Sequence, residues 1–157
     1  MKLKVIGAKH RSRMIREATI YFLDKLIPKY KQTKLDITLR LTRKMNKHDM
    51  GEMEYDKGVV KIYSYPYAND WTLLRTIAHE VVHVKQGVMD GLWDYKNGDV
   101  RYKGIRYKIK ENADEYAHPW EIEAMGRERG LVINFLESKG MYTWDRMRKK
   151  ESIYLLL

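Results

Sequence analysis

The chain has 157 residues, of which 44% are apolar, and this length and composition are typical of one globular domain with its own hydrophobic core. It contains no cysteine, which excludes disulfides and thiolate metal sites, so a transition-metal site must use histidine, aspartate or glutamate. Lysine and arginine exceed aspartate and glutamate by 31 to 21, and the resulting net charge of +10 favours anionic partners, nucleic acid above all.

The N-terminal segment MKLKVIGAKHRSR is basic but has no apolar stretch long enough for a signal peptide. No segment approaches the roughly 18 apolar residues that a membrane span needs, so we expect a cytoplasmic protein with no membrane partner. Between about His10 and Lys29, apolar residues recur at steps of three and four, which predicts an amphipathic helix that ends at Pro28. The other face of this helix is basic.

Three short strands are predicted next. Residues 35–42, LDITLRLT, alternate apolar and polar side chains, and residues 51–65 predict two strands joined at Asp56-Lys57-Gly58. A helix then begins at Asn69 or Asp70, either of which is a good N-cap, and reaches about Gln86.

The C-terminal half predicts a hairpin and a second long helix. The segment DVRYKGIRYKIK alternates on both sides of Lys103-Gly104, which indicates a β-hairpin. Pro119 suits the first turn of a helix that runs to about Ser138. The tail from Met141 to Leu157 ends in the apolar IYLLL, and we expect it to pack on the body or on a partner.

The first long helix contains His-Glu-x-x-His, a pattern that binds zinc when it lies on a helix. His79 and His83 differ by about 40° and lie one turn, roughly 6 Å, apart, so that both imidazoles can reach one ion. The opposite arc of the helix is apolar and comprises Leu73, Leu74, Ile77, Ala78, Val81, Val82, Val84 and Val88. We therefore expect His79, Glu80 and His83 to face a cleft; the alternative is that they are ordinary polar residues on a solvated face.

A catalytic zinc site takes three protein ligands, so a third ligand is required. The candidates are the later acids and His118. Glu121 begins a helix face that is otherwise largely apolar, with Ala124, Met125, Glu128, Val132, Phe135 and Leu136. A carboxylate directed into packing is costly unless it is paired or bound to a metal, which favours Glu121 as the ligand over an ion pair with an arginine.

The other candidates receive supporting roles. Glu123 falls on the opposite side of the helix and is expected to face solvent or to lie behind the ligands. Glu128 is expected either to lie behind the ligands or to bond to a histidine ring nitrogen. His118, which directly precedes the helix, is the second choice for the third ligand, and a contact at the helix entry is its alternative role.

These residues together resemble a known family. HEVVHVKQ, followed about 35 residues later by YAHPWEIEA, is similar to zinc metallopeptidases of the gluzincin kind, especially small one-domain forms with HExxHxxQ and YxxPxExEA that are often encoded by phages and bacteria. The matching residues are His79, Glu80, His83, Gln86, Tyr116, Pro119, Glu121, Glu123 and Ala124.

The resemblance implies an α+β, zincin-like single domain over residues 1–157. Its N-terminal helix and small mixed sheet would support the HExxH helix, and the glutamate of ExxA on the next long helix, here Glu121, would be the third ligand. Many relatives carry an acid or asparagine directly after that alanine, whereas this chain has Met125. The departure leaves the orientation of one histidine ring without an explanation.

The chemistry expected of such a site is peptide hydrolysis. Zn²⁺ held by His79, His83 and Glu121 would activate water and polarise the scissile carbonyl, and Glu80 would act as general base. Tyr116, or His118 as second choice, would donate to the oxyanion. The strand from Val59 to Tyr65 is predicted to pair with an extended peptide substrate along its edge.

Two alternatives remain open at this stage. The net charge and basic-aromatic runs such as RYKGIRYKIK suggest a nucleic-acid-binding module, with lysine and arginine on phosphates and tyrosine stacked on bases. This alternative is compatible with a peptidase that acts on DNA-bound proteins. The other is a regulatory zinc protein that cuts one partner or none.

Overall fold

The computed structural model describes residues 1–43, 50–109 and 114–141, so the predicted packing of the tail beyond Met141 lies outside the described residues. Pro28 lies between the first two α-helices of the chain, as expected of a residue that stops one helix and starts another. In chain order the elements are β1 (Lys2–Ile6), α1 (Ser12–Leu26), α2 (Lys29–Gln32), β2 (Asp36–Leu41), β3 (Gly51–Asp56), β4 (Val59–Ser64), α3 (Asp70–Lys85), β5 (Trp93–Asp94), β6 (Val100–Tyr102), β7 (Ile105–Tyr107) and α4 (Pro119–Ser138).

The predicted mixed sheet is present, with one strand more than expected. Its order is β1-β2-β4-β3, in which β1, β2 and β4 are parallel and β3 is antiparallel to β4. The turn that joins β3 to β4 needs positive φ angles, which are +46° at Lys57 and +92° at Gly58. A Cβ at Gly58 would lie 2.8 Å from the backbone oxygen of Lys34, so this position requires glycine.

The strand order corrects one prediction. Residues 59–65 were expected to offer a free edge to a peptide, but β4 is hydrogen-bonded on both sides, to β2 and to β3. The prediction was wrong because local alternation identifies a strand without fixing its neighbours in the sheet. The edge position next to β4 belongs to β3.

Three helices cover the sheet and form the core with it. The apolar arc predicted for α3 packs against α1, α4, β3 and β4, and its residues from Leu73 to Val84 are almost fully buried. Phe22 of α1 and Phe135 of α4 meet edge to face, with ring centroids 5.9 Å apart. α3 is thus held from behind, which leaves its polar face directed away from the core.

The C-terminal hairpin forms where it was predicted, and a short strand joins it. Lys103 and Gly104 make the turn with φ angles of +49° and +81°, and β5 pairs with β6 to give a three-stranded antiparallel sheet. Tyr102 is 3% exposed and packs against Trp120, so its ring lies in the protein interior and is not exposed for stacking on a base.

The molecule is an α+β protein, as expected from the sequence. Within the described ranges, no helix combines the length and the apolar character needed to cross a bilayer.

Candidate metal centre

The helix that carries the motif begins at the predicted cap. The side chain of Asn69 accepts a hydrogen bond from the backbone N–H of Thr72 at 2.9 Å, which satisfies one of the free donors at the start of α3. With the apolar arc buried, His79, Glu80 and His83 emerge between α4 and β3. Their side chains line a cavity of about 560 Å³.

Three side chains converge in this cavity. The Nε2 atoms of His79 and His83 lie 3.1 Å apart, and the carboxylate of Glu121 lies 3.1 Å from the first and 3.3 Å from the second. Of the described residues, this trio is the group that can offer one ligand atom each to a common ion. The structure therefore brings together the two motif histidines and Glu121, the acid predicted from its position on a largely apolar helix face.

Residues behind the ligands fix the two imidazoles. Nδ1 of His79 faces the Glu128 carboxylate at 3.0 Å, and Nδ1 of His83 faces the amide oxygen of Gln86 at 2.7 Å. Both partners are acceptors, so each Nδ1 carries the proton and donates it. Glu128 thus sets the orientation of the His79 ring. The sequence has Met125 where many members of the family that it resembles carry an acid or asparagine, and Glu128 supplies an acid from another position of the same helix.

The donor set fits a zinc ion. With both Nδ1 atoms protonated, the two neutral imidazoles turn Nε2 lone pairs toward the Glu121 carboxylate, and three acceptors face one another without a donor between them. Two nitrogens and one oxygen bound tetrahedrally to zinc stand about 3.3 Å apart, close to the separations found here. A cation at the centre of this triangle removes the mismatch.

Without a metal, protons must take that role. Burial tends to lower the pKa of His79, but hydrogen bonds with Glu121 and Glu128 outweigh it and raise the pKa to about 10. Burial likewise tends to raise the pKa of Glu121, and the two histidines outweigh it, bringing the pKa to about 2. Metal binding at this site is therefore coupled to proton release.

Glu123 is not one of the converging ligands, and it does not face solvent. Its side chain is 13% exposed and accepts from Lys85 at 2.9 Å, from Gln86 at 3.3 Å and from the hydroxyl of Tyr102. Since the Gln86 amide nitrogen also donates to the backbone oxygen of Trp120 at 2.9 Å, its oxygen must face His83. Glu123 thus orients the residue that orients a ligand.

Glu80 lies in the same cavity as the three ligands, but within the described part of the chain it lacks hydrogen-bond partners of the kind that orient them. It is 5% exposed, and among the residues that the structure describes none makes a hydrogen bond or ion pair with its carboxylate. Burial raises the pKa of Glu80 to about 7, against the attraction of His83 and His79. A carboxylate whose pKa is shifted by burial and which opens onto a cavity is typical of a group retained for its chemistry.

Strand β3 forms the wall opposite α4. A Cβ at Gly51 would lie 2.5 Å from Oε1 of Glu80 and 2.5 Å from Cγ2 of Thr76, so glycine allows the strand to approach the helix. Sequence reasoning missed Gly51 and also Arg75, which donates to Glu128 at 3.0 Å through Nε. Neither carries a local motif, since their importance arises from packing between distant elements.

The two remaining candidates lie differently. Tyr116 is 67% exposed and lines the cavity at its edge. His118 precedes α4 as its N-cap residue and stacks on Trp120, with ring centroids 4.6 Å apart, away from the ligand triangle. Its position agrees with the alternative role as a contact at the helix entry.

No protein-family model, curated protein or solved structure matches the chain. Function must therefore be argued from the residues and geometry of the site.

Proposed function

We propose that this protein is a zinc-dependent metallopeptidase that hydrolyses peptide bonds. The observation that carries the proposal is the juxtaposition of an acceptor-only His-His-Glu triangle with an unpaired, buried carboxylate, Glu80, in one cavity. His79, His83 and Glu121 would hold the ion, leaving a fourth position for water or substrate. The mixed sheet, the helix α3 that carries the motif and the helix α4 that carries Glu121 support the proposal of a zincin-like fold.

When bound, Zn²⁺ supplies Lewis acidity, which lowers the pKa of water and polarises a carbonyl. Glu80 accepts the proton of the attacking water and returns it to the leaving nitrogen. Glu128 and Gln86 keep the two imidazoles in the tautomer that leaves Nε2 free for the ion. Tyr116, which lines the cavity, would donate a hydrogen bond to the developing oxyanion.

The substrate strand pairs with β3 in this proposal. β3 is one of the two edge strands of the described sheet, with β1 at the other edge, and residues 50–53 line the cavity. An extended peptide hydrogen-bonded to that edge would pass over the ligand triangle with its backbone carbonyls directed alternately toward and away from β3. This replaces the pairing with residues 59–65 that the sequence predicted.

Metal content and cleavage test the proposal together. Protein purified without added metal should contain zinc or bind it on titration, and a mixed peptide library should be cleaved in a way that a chelator abolishes and zinc restores. Glu80→Gln should keep zinc and lose hydrolysis, while the exposed Glu137→Gln on α4 serves as the control and should keep both. Absence of zinc binding, or full activity of Glu80→Gln, would overturn the proposal.

The ligand assignment has its own test. Glu121→Ala should abolish tight zinc binding, whereas Glu123→Ala should weaken it, because Glu123 acts through Gln86 and His83. Loss of zinc in Glu123→Ala combined with retention in Glu121→Ala would show that the assignment is wrong.

A further inference from the structure

A second cavity adjoins the metal centre. It measures about 330 Å³ and shares Glu52 and Met53 of β3 with the first cavity. Its other walls are the turn after α3, at Gly87 and Leu92, and the short strand β5. We name this cavity the β3–β5 groove. Because β3 runs along both cavities, a peptide paired with its edge continues from the metal centre into the groove.

The groove carries negative charge that the described residues do not neutralise. Glu52 and Asp94 line it, and neither forms a hydrogen bond or ion pair through its carboxylate with any residue in the described ranges. Glu54 also lines it, but its carboxylate is paired with Lys61 at 2.7 Å. Among the residues that the structure describes, no lysine or arginine lines the groove. This is unusual in a chain of net charge +10, where cations are abundant.

A second feature of the groove is its aromatic wall. Trp93 is 45% exposed and lies beside Asp94 on β5. The ring of Tyr55 comes so close to Gly87 that a Cβ there would lie 2.8 Å from it, so glycine provides the room for this ring. An indole and unpaired carboxylates that line one cavity offer ammonium and guanidinium groups both cation–π attraction and charge-assisted hydrogen bonds.

At the inner end, the same cleft contains the unpaired carboxylate of Glu80, which is 5% exposed. When bound, zinc would neutralise charge at the ligand triangle, and Arg75 is paired with Glu128. The charges of Glu52 and Asp94 lie beyond both, so they remain available to a substrate side chain.

We propose that the β3–β5 groove binds a lysine or arginine side chain of the substrate through Glu52, Asp94 and Trp93, so that the protein selects basic polypeptides. The inference rests on the proposed function, since it assigns the specificity of the same cleft. The basic side chain reaches the groove from a peptide strand that is paired with β3, and an acidic side chain at the same position is repelled.

Cleavage of matched peptides tests the inference. Sites cut by the zinc-loaded protein in a mixed peptide library should share lysine or arginine at one fixed position relative to the scissile bond. Peptides with lysine, norleucine or glutamate at that position should then differ in kcat/KM, with lysine preferred about tenfold or more over norleucine, as expected for hydrogen bonds to a charged group.

Variants locate the effect. Glu52→Gln and Asp94→Asn should each lower kcat/KM for the lysine peptide about tenfold relative to kcat/KM for the norleucine peptide. The control is Asp56→Asn, which removes an exposed charge from the same strand outside the groove and should leave both values unchanged. Zinc content, measured for every variant, separates substrate binding from metal loss.

Different results would overturn the basic specificity of the groove and the metallopeptidase activity. Cleavage without a basic preference, or a preference that survives both substitutions, would overturn this inference and leave the metallopeptidase proposal standing. If the zinc-loaded protein cleaves no peptide, the proposed function is wrong, and fluorescence anisotropy with the lysine and norleucine peptides decides the inference. Stronger binding of the lysine peptide that Glu52→Gln and Asp94→Asn abolish would support it, and equal binding would overturn it.

Discussion

Replacement of Glu128 by glutamine should weaken zinc binding without removing a ligand. One carboxylate oxygen of Glu128 accepts from Arg75 and the other from Nδ1 of His79. In the variant, Arg75 requires the amide oxygen, so the NH₂ group turns toward His79 and demands an acceptor there. Nδ1 can accept only if the proton moves to Nε2, where it blocks the metal.

Because the amide NH₂ of the variant and the Nδ1–H of His79 cannot both donate, we expect a large loss of zinc affinity. The loss should be about 100-fold, or about 2.7 kcal/mol, near the upper end of the range for residues behind metal ligands. Competition with a chromophoric chelator at neutral pH measures it, with Glu137→Gln as the control on the same helix. Adding Arg75→Ala to Glu128→Gln frees the amide to reverse and should recover part of the affinity. Unchanged affinity in the single variant, or no recovery in the double variant, would refute the tautomer argument.

Three further predictions follow from the same contacts. Gly51→Ala should keep zinc and lower kcat/KM at least about tenfold, because its Cβ would displace β3 or Glu80; steady-state kinetics with zinc analysis would detect this. Zinc affinity should rise with pH between about 6 and 8, because the pKa of His79 is raised to about 10 and the metal must displace at least one proton; a flat profile in chelator competition would contradict it. Phe135→Ala should lower the free energy of unfolding by about 3–5 kcal/mol, measured by urea denaturation of the metal-free protein, since Phe135 is 1% exposed in the core.

The long helices were predictable because their signals are local. The Asn69 cap and Pro119 at the first turn mark the starts of α3 and α4, and the apolar arc of α3 is buried as its periodicity predicted. The strands were harder. β1 has only five residues, Lys2–Ile6, whose alternation is easily taken for a basic N-terminus, and the two-residue β5 carries no period of its own.

Local sequence patterns do not show which element packs against each face of a helix or which strand lies beside another in the sheet. The helical wheel placed Glu123 opposite Glu121 and left solvent as one of its expected environments. The hairpin packs on that side instead, and its Tyr102 hydroxyl donates to Glu123. The position of β4 inside the sheet was missed for the same reason, since pairing between distant strands is a property of topology.

The placement of Glu121 also bears on the alternative that this carboxylate forms an ion pair with an arginine and does not bind a metal. Arg75 lines this cavity and is engaged by Glu128, so the cationic groups that contact Glu121 within the described ranges are the two imidazoles. An ion pair between Glu121 and these histidines requires a proton on Nε2, while Glu128 and Gln86 hold another proton on each Nδ1. Two imidazolium ions with Nε2 atoms 3.1 Å apart would repel each other, and a single proton on one Nε2 would pair with Glu121 but bring no cation to the second ring, whereas one divalent ion would satisfy both nitrogens and the carboxylate at once. The residues behind the ligands therefore support the proposal of a metal at this site, and this support does not depend on the HExxH pattern.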